Sequence, residues 1–307
     1  MLLLNVLDLT PCSSIKDLVK QLKYAAFNAR RLGKAFEILE EALQEQSFFF
    51  IGLAGALTPS GMRYLIAQLL NKLPNSLVVS TGANVLHDIA ASLGKPAFHV
   101  ETLEDDISLS RRGLMRIHDI VTSADAYVEV ESLLKKVVEE LPAGSYASYE
   151  IVKALGAMIA DEKSFIRTAY ERHIDVIVPA FIDSILGLQF MSLTSVKKGV
   201  KLDQVKDLQR ILDAQFIAKE KSMKTAAIIL GGGVPKNFIY QSTLITEKPL
   251  DYVVQITTDV PEYGGLSGAT PEEAKSWRKI GEKAKAIVVY CDVTIALPIL
   301  VSALLQS

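Results

Sequence analysis

Cysteine is nearly absent from this chain. Cys12 and Cys291 are the only two in 307 residues, too few for a disulfide framework and in keeping with a reducing compartment. No apolar run reaches the roughly 20 residues of a membrane-spanning helix, so no membrane span is expected. The start, MLLLNVLDLTPC, is apolar but has no basic segment and no full hydrophobic segment, and does not read as a signal peptide. Neither sign of charge dominates: 33 Lys and Arg stand against 35 Asp and Glu. There is also no basic stripe interleaved with aromatics, which argues against nucleic acid as the main partner. His87, His99, His118 and His173 form no HExxH pair and neither cysteine has a partner at ligand spacing, so no metal site is expected. Neither GxGxxG nor a P-loop pattern occurs, and repeats and low-complexity linkers are missing too. What remains is a cytoplasmic enzyme or binding protein. Half its residues are hydrophobic, ample for a large core.

Apolar residues recur at helical spacing over 14–46 (Ile15, Leu18, Leu22, Ala25, Ala26, Phe36, Leu39 and Leu43). They predict one or two amphipathic helices, an N-terminal helical arm over 1–46. From residue 47 onward, β-favouring runs alternate with helical stretches. The runs are SFFFIGLAGA (47–56), SLVVSTGAN (76–84), IDVIVPAFID (174–183), AAIILGGG (226–233), DYVVQITTD (251–259) and AIVVYCDVT (286–294). Continuous apolar strands separated by helices predict a doubly wound, mostly parallel, Rossmann-like sheet in a single α/β domain over 47–307. TPSGMRYLIAQLL is expected to open a helix, with Thr58 as N-cap and Pro59 at its first position. Between 202 and 219, Val205, Leu208, Leu212 and Phe216 are expected to form the buried stripe, with Asp207, Arg210 and Asp213 facing away.

In an open parallel sheet, ligands bind beyond the carboxyl ends of the strands. Here those ends are rich in Gly, Thr and Asp: 52–56, 81–83, Asp183, 231–233, 257–259 and Asp292. Glycine lets backbone approach a phosphate, the next helix offers free N–H groups, and Thr and Asp can bond ribose hydroxyls. The same residues serve ordinary strand-to-helix turns, so the pattern alone leaves a dinucleotide site and simple turns both open. The segment GGLSGATPEEAKSWRKIGEK (264–283) is the most informative. Its glycine-rich loop leads to Thr270 as N-cap, Pro271 at the first helical position and Glu273 as capping-box partner. Trp277 is the only tryptophan and sits among polar residues, as an anchor or as an aromatic wall for a cation. On spacing alone Lys279 reads as a solvated helix lysine. To form an imine it would have to be partly desolvated.

GATPEEAKSWRKI resembles the active-site stretch of deoxyhypusine synthases, in which a Glu, a Trp and an imine-forming Lys keep the spacing of Glu273, Trp277 and Lys279. AAIILGGGVPKNFI is similar to that family's glycine-rich cofactor segment. DYVVQITTDVPEYGGLSGA and VVYCDVTIALPILVSALL match its flanking blocks, and VPAFIDSILG resembles the block whose Asp contacts NAD. GLAGALTPSGMR and STGANVLHD are weaker versions of two earlier blocks. The resemblance spans roughly residues 47–305. It implies a homotetramer that uses NAD to move the aminobutyl group of spermidine, through an imine on Lys279, to a lysine of the translation factor 5A precursor. It also implies cofactor contacts at Gly55, Ala56, Thr81, Gly82, Ala83, Asp183, Gly232, Thr258, Asp259, Asp292 and Val293. Substrate contacts are implied at Glu273, Trp277, Asn237, His87, Gly264 and Asp259.

The chain also departs from the pattern. Better-known members carry acidic residues at the positions of His87, Leu188 and Leu266 and a His at Asn237. PKNF stands for the usual PKHH, and TGAN for a Thr-Ala-Gly-Gly block. Each carboxylate lost weakens the hold on a trication. Asp259 stands where those members tend to carry a small residue, and either restores negative charge or only caps a turn or bonds the ribose. Two further readings therefore stay beside deoxyhypusine synthase. One is a homospermidine-synthase-like enzyme with a small acceptor such as putrescine, and the other an NAD-binding protein without turnover.

Overall fold

The computed structural model describes residues 6–101 and 105–306; the first five residues of the apolar start lie outside these. The chain opens with α1 (Ile15–Leu22) and α2 (Phe27–Gln44), then β1 (Phe48–Leu53). An irregular helical turn, Thr58–Met62, runs into α3 (Arg63–Lys72), followed by β2 (Ser76–Ser80) and α4 (Gly82–Ser92). Short elements come next: β3 (Phe98–His99), α5 (Asp106–Arg111), β4 (Leu114–Ile117) and β5 (Ile120–Ser123). The middle of the chain is α6 (Ala124–Glu140), β6 (Gly144–Tyr146), α7 (Ser148–Ala157), α8 (Phe165–Glu171), β7 (Val176–Ile177), α9 (Ile185–Val196) and β8 (Val200–Leu202). Then follow α10 (Gln204–Glu220), β9 (Thr225–Leu230), α11 (Gly233–Thr246), β10 (Leu250–Thr257), α12 (Pro271–Ser276), β11 (Ile280–Tyr290) and α13 (Val293–Leu305).

These elements form two compact units. The first holds residues 1–54, 71–79 and 208–307, the second 55–70 and 80–207. The sequence-based boundary at 46/47 falls inside the first unit, where α1 and α2 pack on α13, β10 and β11. Its strands run in the order β11–β10–β9–β1–β2, and the pairs β1–β9, β9–β10 and β10–β11 are parallel. β9 is buried at all six positions and β1 at five of six, as expected of strands covered on both faces. Chain order reverses between β1 and β9, because the chain leaves β1 toward β2 but returns to β9 on its other side. The crevice beyond the carboxyl ends of two such strands is where an open α/β sheet takes its ligands.

In the second unit, Arg63 pairs with buried Asp88 (Nε–Oδ1, 2.9 Å) and with Asp161 (2.8 Å). The Asp88 carboxylate also accepts from Ser164 Oγ (2.6 Å) and from the backbone N–H of Ile166 (3.2 Å), so one carboxylate caps α8. Asp207 does the same for α7. It accepts from the Ser148 hydroxyl (2.9 Å) and the Ser148 N–H (3.2 Å). Burial raises its carboxyl from 3.8 to about 6 against those bonds. A raised folded-state pKa means stability that is full in acid and lost as pH rises from about 4 through 6. An Asp207→Asn variant should flatten that decline, on the order of 2 kcal/mol, in urea melts at pH 4, 5, 6 and 7. An unchanged slope would exclude Asp207 as its source.

Four expectations need correction. Thr58 is not a side-chain N-cap. Its hydroxyl donates to the Asn84 carbonyl (2.9 Å), and Gly61, at φ 91°, breaks the helical path before α3. The run 174–183 gives only the two-residue strand β7. Pro179 has no N–H for a ladder, and the chain turns at once, with the Asp183 N–H on the Ala180 carbonyl (3.0 Å). β11 begins at Ile280, six residues before the expected strand. On α10 the stripe is rotated. Asp207, Ile211, Ala214, Gln215 and Ala218 are buried, while Val205 is 64 % and Phe216 41 % exposed.

Candidate active site

Thr270 caps the segment's helix as predicted, but among the described residues no bond from the Glu273 side chain back to the Thr270 N–H completes a capping box. The Thr270 hydroxyl accepts from the Glu273 N–H (3.2 Å), with Pro271 in the first turn of α12. The Glu273 side chain lines a cavity nearby. Beyond α12 the chain passes Arg278 at φ 58°, a left-handed conformation uncommon outside glycine. The Lys279 backbone is fixed on both sides: its N–H donates to the Ala274 carbonyl (3.0 Å) and its carbonyl accepts from the Leu250 N–H (3.1 Å). The Lys279 ammonium lies 5.5 Å from the Trp277 ring centre, within cation–π range. Trp277 itself is 61 % exposed.

Glu273, Trp277 and Lys279 open onto one cavity of about 160 Å³, closed on the other side by Lys236, Asn237 and Tyr240 of α11 and by Leu266. The structure thus gathers Lys279, Glu273, Trp277 and Asn237. Asp259 and Gly264 lie outside the lining, but the Asp259 charge acts on Lys236. Below the roughly 300–1,000 Å³ of drug-sized sites, this space suits a short chain rather than a dinucleotide.

Lys236, Tyr240, Gln255 and Ser267 were not singled out from the sequence. Lys236 is buried, and burial lowers its amine from 10.5 to about 8; Glu273 and Asp259 oppose the shift and Lys279 adds to it. Its Nζ donates to the carbonyls of Ser267 and Ala269 and lies 5.7 Å from the Tyr240 ring centre. The Gln255 amide donates to the carbonyls of Gly231 (2.9 Å) and Ser267 (2.7 Å). The Ser267 hydroxyl accepts from the Gly233 N–H (2.9 Å). These bonds tie the glycine-rich loop to the end of β9. Lysine in PKNF, four residues before Tyr240, was the available signal for Lys236.

The expected cofactor residues fall into the two units, and each unit gathers its own. In the second, Thr81 caps α4 and its hydroxyl donates to the Gly55 carbonyl (2.7 Å). Asn84 Oδ1 accepts from the Leu57 N–H (2.7 Å), which holds the turn after Ala56. Gly82 packs on Ser184, the neighbour of Asp183, so that a Cβ there would collide with it, and Ala83 follows in α4. His87 is buried, edge-on to Tyr127 (6.0 Å), and burial lowers its imidazole. Leu188 is exposed on α9. In the first unit, Gly232, Thr258 and Asp259, and Asp292 and Val293 follow the ends of β9, β10 and β11. Asp292 caps α13, accepting from the Thr294 N–H (2.7 Å).

The sequence profile of the deoxyhypusine synthase family matches residues 17–304. The chain belongs to the deoxyhypusine synthase family. The match starts within α1, earlier than the blocks visible by eye. The protein named "Probable deoxyhypusine synthase 1" of Archaeoglobus fulgidus is 44 % identical over 292 residues, 95 % of this chain and 94 % of that protein. "Probable deoxyhypusine synthase 2" of the same organism is 37 % identical over 288 residues, 91 % of this chain and 94 % of that one. The solved "Crystal Structure of a putative deoxyhypusine synthase from Entamoeba histolytica" superposes with a TM-score of 0.66 at 17 % identity, covering 94 % of this chain and 92 % of its own; that likeness speaks for the fold. Deoxyhypusine synthases are transferases, so the chain is classed with enzymes. Among the described residues no helix is long and apolar enough to cross a membrane.

Proposed function

We propose that this chain is a deoxyhypusine synthase that carries the aminobutyl group of spermidine on Lys279, with NAD as cofactor, and delivers it to a lysine of the translation factor 5A precursor. The observation that carries this reading is the Lys279 amine held over the face of the only tryptophan, inside a small cavity with Glu273 and Lys236. The backbone bonds on both sides of Lys279 fix the point from which its side chain extends, and its amine stands beside the Trp277 ring. Glu273 and the Trp277 face attract the ammonium end of a polyamine. Burial holds the Lys236 amine near 8, which makes it the candidate base of the cavity for proton transfer at that pH. The new bond joins Lys279 Nζ to the four-carbon unit while the remaining diamine leaves. An acceptor amine then displaces Lys279 from the same carbon.

The first unit's residues fit a dinucleotide at the β1/β9 switch point. A Cβ at Gly233 would meet nothing within 4 Å, so there is room for a phosphate beside the start of α11, where the Gly233 N–H itself is taken by the Ser267 hydroxyl. Gly232, Asp259, Asp292 and Val293 would hold the cofactor there. Gly55, Ala56, Thr81, Gly82, Ala83 and Asp183 are the second unit's candidates for the same role. NAD, when bound, would supply the hydride acceptor that oxidises the amine and the hydride that reduces the final imine. A cytoplasmic homotetramer belongs to the same reading, and light scattering would give its mass.

The decisive experiment incubates the protein with NAD, spermidine and either the factor 5A precursor or putrescine, with products identified by mass spectrometry. Deoxyhypusine on the precursor is the expected product. Leu266 in the cavity wall, at the position where the family resemblance implies an acid, favours a second reading in which a small amine is the acceptor; homospermidine as the main product would establish that one. No product in either arm would overturn both.

Two kinetic predictions follow, one from the cavity and one from Asp259, whose charge acts on Lys236 from outside the lining. kcat/KM should rise with pH through an inflection near 8, and Lys236→Met should remove it. The same inflection in the variant would assign it elsewhere. Asp259→Ala should lower kcat/KM for spermidine roughly ten- to a hundredfold, the cost of one charge-assisted contact. Unchanged kinetics across putrescine, spermidine and homospermidine would take Asp259 out of the amine site.

A further inference from the structure

A larger cavity, about 680 Å³, lies along the β11 side of the first unit, with its own lining apart from that of Lys279. Pro249, Tyr252 and Ile280 contribute apolar surface, and charged side chains supply most of the rest. Several of those charges are already neutralised. Lys285 pairs with Glu41 (2.6 Å), Asp251 holds both Lys224 (3.1 Å) and Lys248 (2.8 Å), and the Glu45 carboxylate, which accepts from the Tyr252 hydroxyl (2.9 Å) and keeps its charge, acts on Lys224 and offsets the second of those two lysines. Lys275, Arg278 and Lys283 remain, with no ion-pair partner among the described residues, and the one uncommitted carboxylate facing them is Glu282. Three cations against one anion around a concave space of ligand size leave a site two charges short of neutrality. Arginine offers a planar fork of donors and lysine a point charge, the pair of groups that binds phosphate oxygens.

We propose that this cavity binds a small polyanion carrying two or more phosphate groups, free or as the phosphate chain of a nucleotide, through Lys275, Arg278 and Lys283. Arg278 stands between Trp277 and Lys279 in sequence, and its left-handed backbone turns the chain from α12 toward β11. An anion on its guanidinium would therefore hold the segment that presents Lys279 from the opposite side. The site needs neither spermidine nor NAD, so it stands or falls independently of the proposed activity.

The test uses the full chain and calorimetric titration at low ionic strength with tripolyphosphate, ATP and adenosine. Tripolyphosphate and ATP should bind, adenosine should not, and affinity should fall steeply with added salt. If ATP binds far more tightly than tripolyphosphate, the nucleotide is the source; equal affinities identify the phosphate chain alone. A Lys275→Glu/Lys283→Glu double variant, altered only at partly or fully exposed positions, should lose about tenfold or more in affinity. Glu282→Lys should gain affinity, which a misfolded protein could not do. The proposal is overturned if tripolyphosphate does not bind at millimolar concentration or if both charge variants bind it as the wild type does. It is also overturned if NAD competes with tripolyphosphate equally well in the wild type and in the Lys275→Glu/Lys283→Glu variant, which would place the anion at the cofactor site.

Discussion

Lys279→Ala is expected to lower aminobutyl transfer by on the order of a thousandfold or more, the scale seen when a covalent nucleophile is removed. The fold should survive. The bonds that fix this position are made by its backbone, to Ala274 and Leu250, and alanine keeps both. The side chain is only partly buried, so truncation opens no core cavity. Lys279→Arg keeps a cation beside Trp277 but cannot form the imine, and should be as inactive as alanine. Borohydride trapping with NAD and labelled spermidine should modify the wild type at Lys279 and neither variant, while melting temperatures stay within a few degrees. If either variant turned over at the wild-type rate, the covalent role of Lys279 would be wrong. If Arg alone kept activity, the lysine would act as a charge and not as a nucleophile.

How far the sequence reaches differs between elements, for physical reasons. β1, β9 and β10 are legible because buried parallel strands read as largely continuous apolar runs, bounded here by small residues, with only a few polar positions such as Asp251 and Gln255 in β10. The α12 start is legible because Thr270 and Pro271 act locally. The run 174–183 is as apolar as these, yet Pro179 and the turn at Asp183 limit it to two paired residues. α10 was recognisable as a helix, but its phase was not. Two faces are partly apolar, and the one that turns inward includes Asp207, drawn there by the hydroxyl and N–H of Ser148, 59 residues away. The site divides in the same manner. Glu273, Trp277 and Lys279 form one short segment and could be read together. Lys236 and Gln255 matter through burial and through carbonyls of a distant loop, which no spacing rule encodes.

The second large effect concerns how that loop is seated. The requirement for glycine at 232 is visible as one of space. A Cβ there would lie 2.5 Å from the Ser267 Cα and 2.6 Å from its Cβ. Backbone cannot swing aside as a side-chain tip can, so Gly232→Ala must push Ser267 away from β9. Three bonds converge on Ser267 and would stretch together: Gly233 N–H to its hydroxyl, and Gln255 and Lys236 to its carbonyl. The displaced loop carries Leu266, Ala269 and the Thr270 cap, all part of the Lys279 cavity wall. Overpacking of this kind costs about 1–3 kcal/mol, readable as a lower urea midpoint. A shift near 1 Å at the reacting groups costs roughly a hundredfold, so kcat/KM should fall by about that factor. The NAD-induced rise in melting temperature should shrink as well, because Gly232 also borders the proposed phosphate approach. Gly281→Ala is the control, since its Cβ would meet nothing closer than 3.4 Å, and it should change stability by about 0.5 kcal/mol or less. Should Gly232→Ala match that control in stability and rate, Ser267 would not be what seats the loop. The geometry of the Lys279 cavity would then have to be set from the α12 side alone.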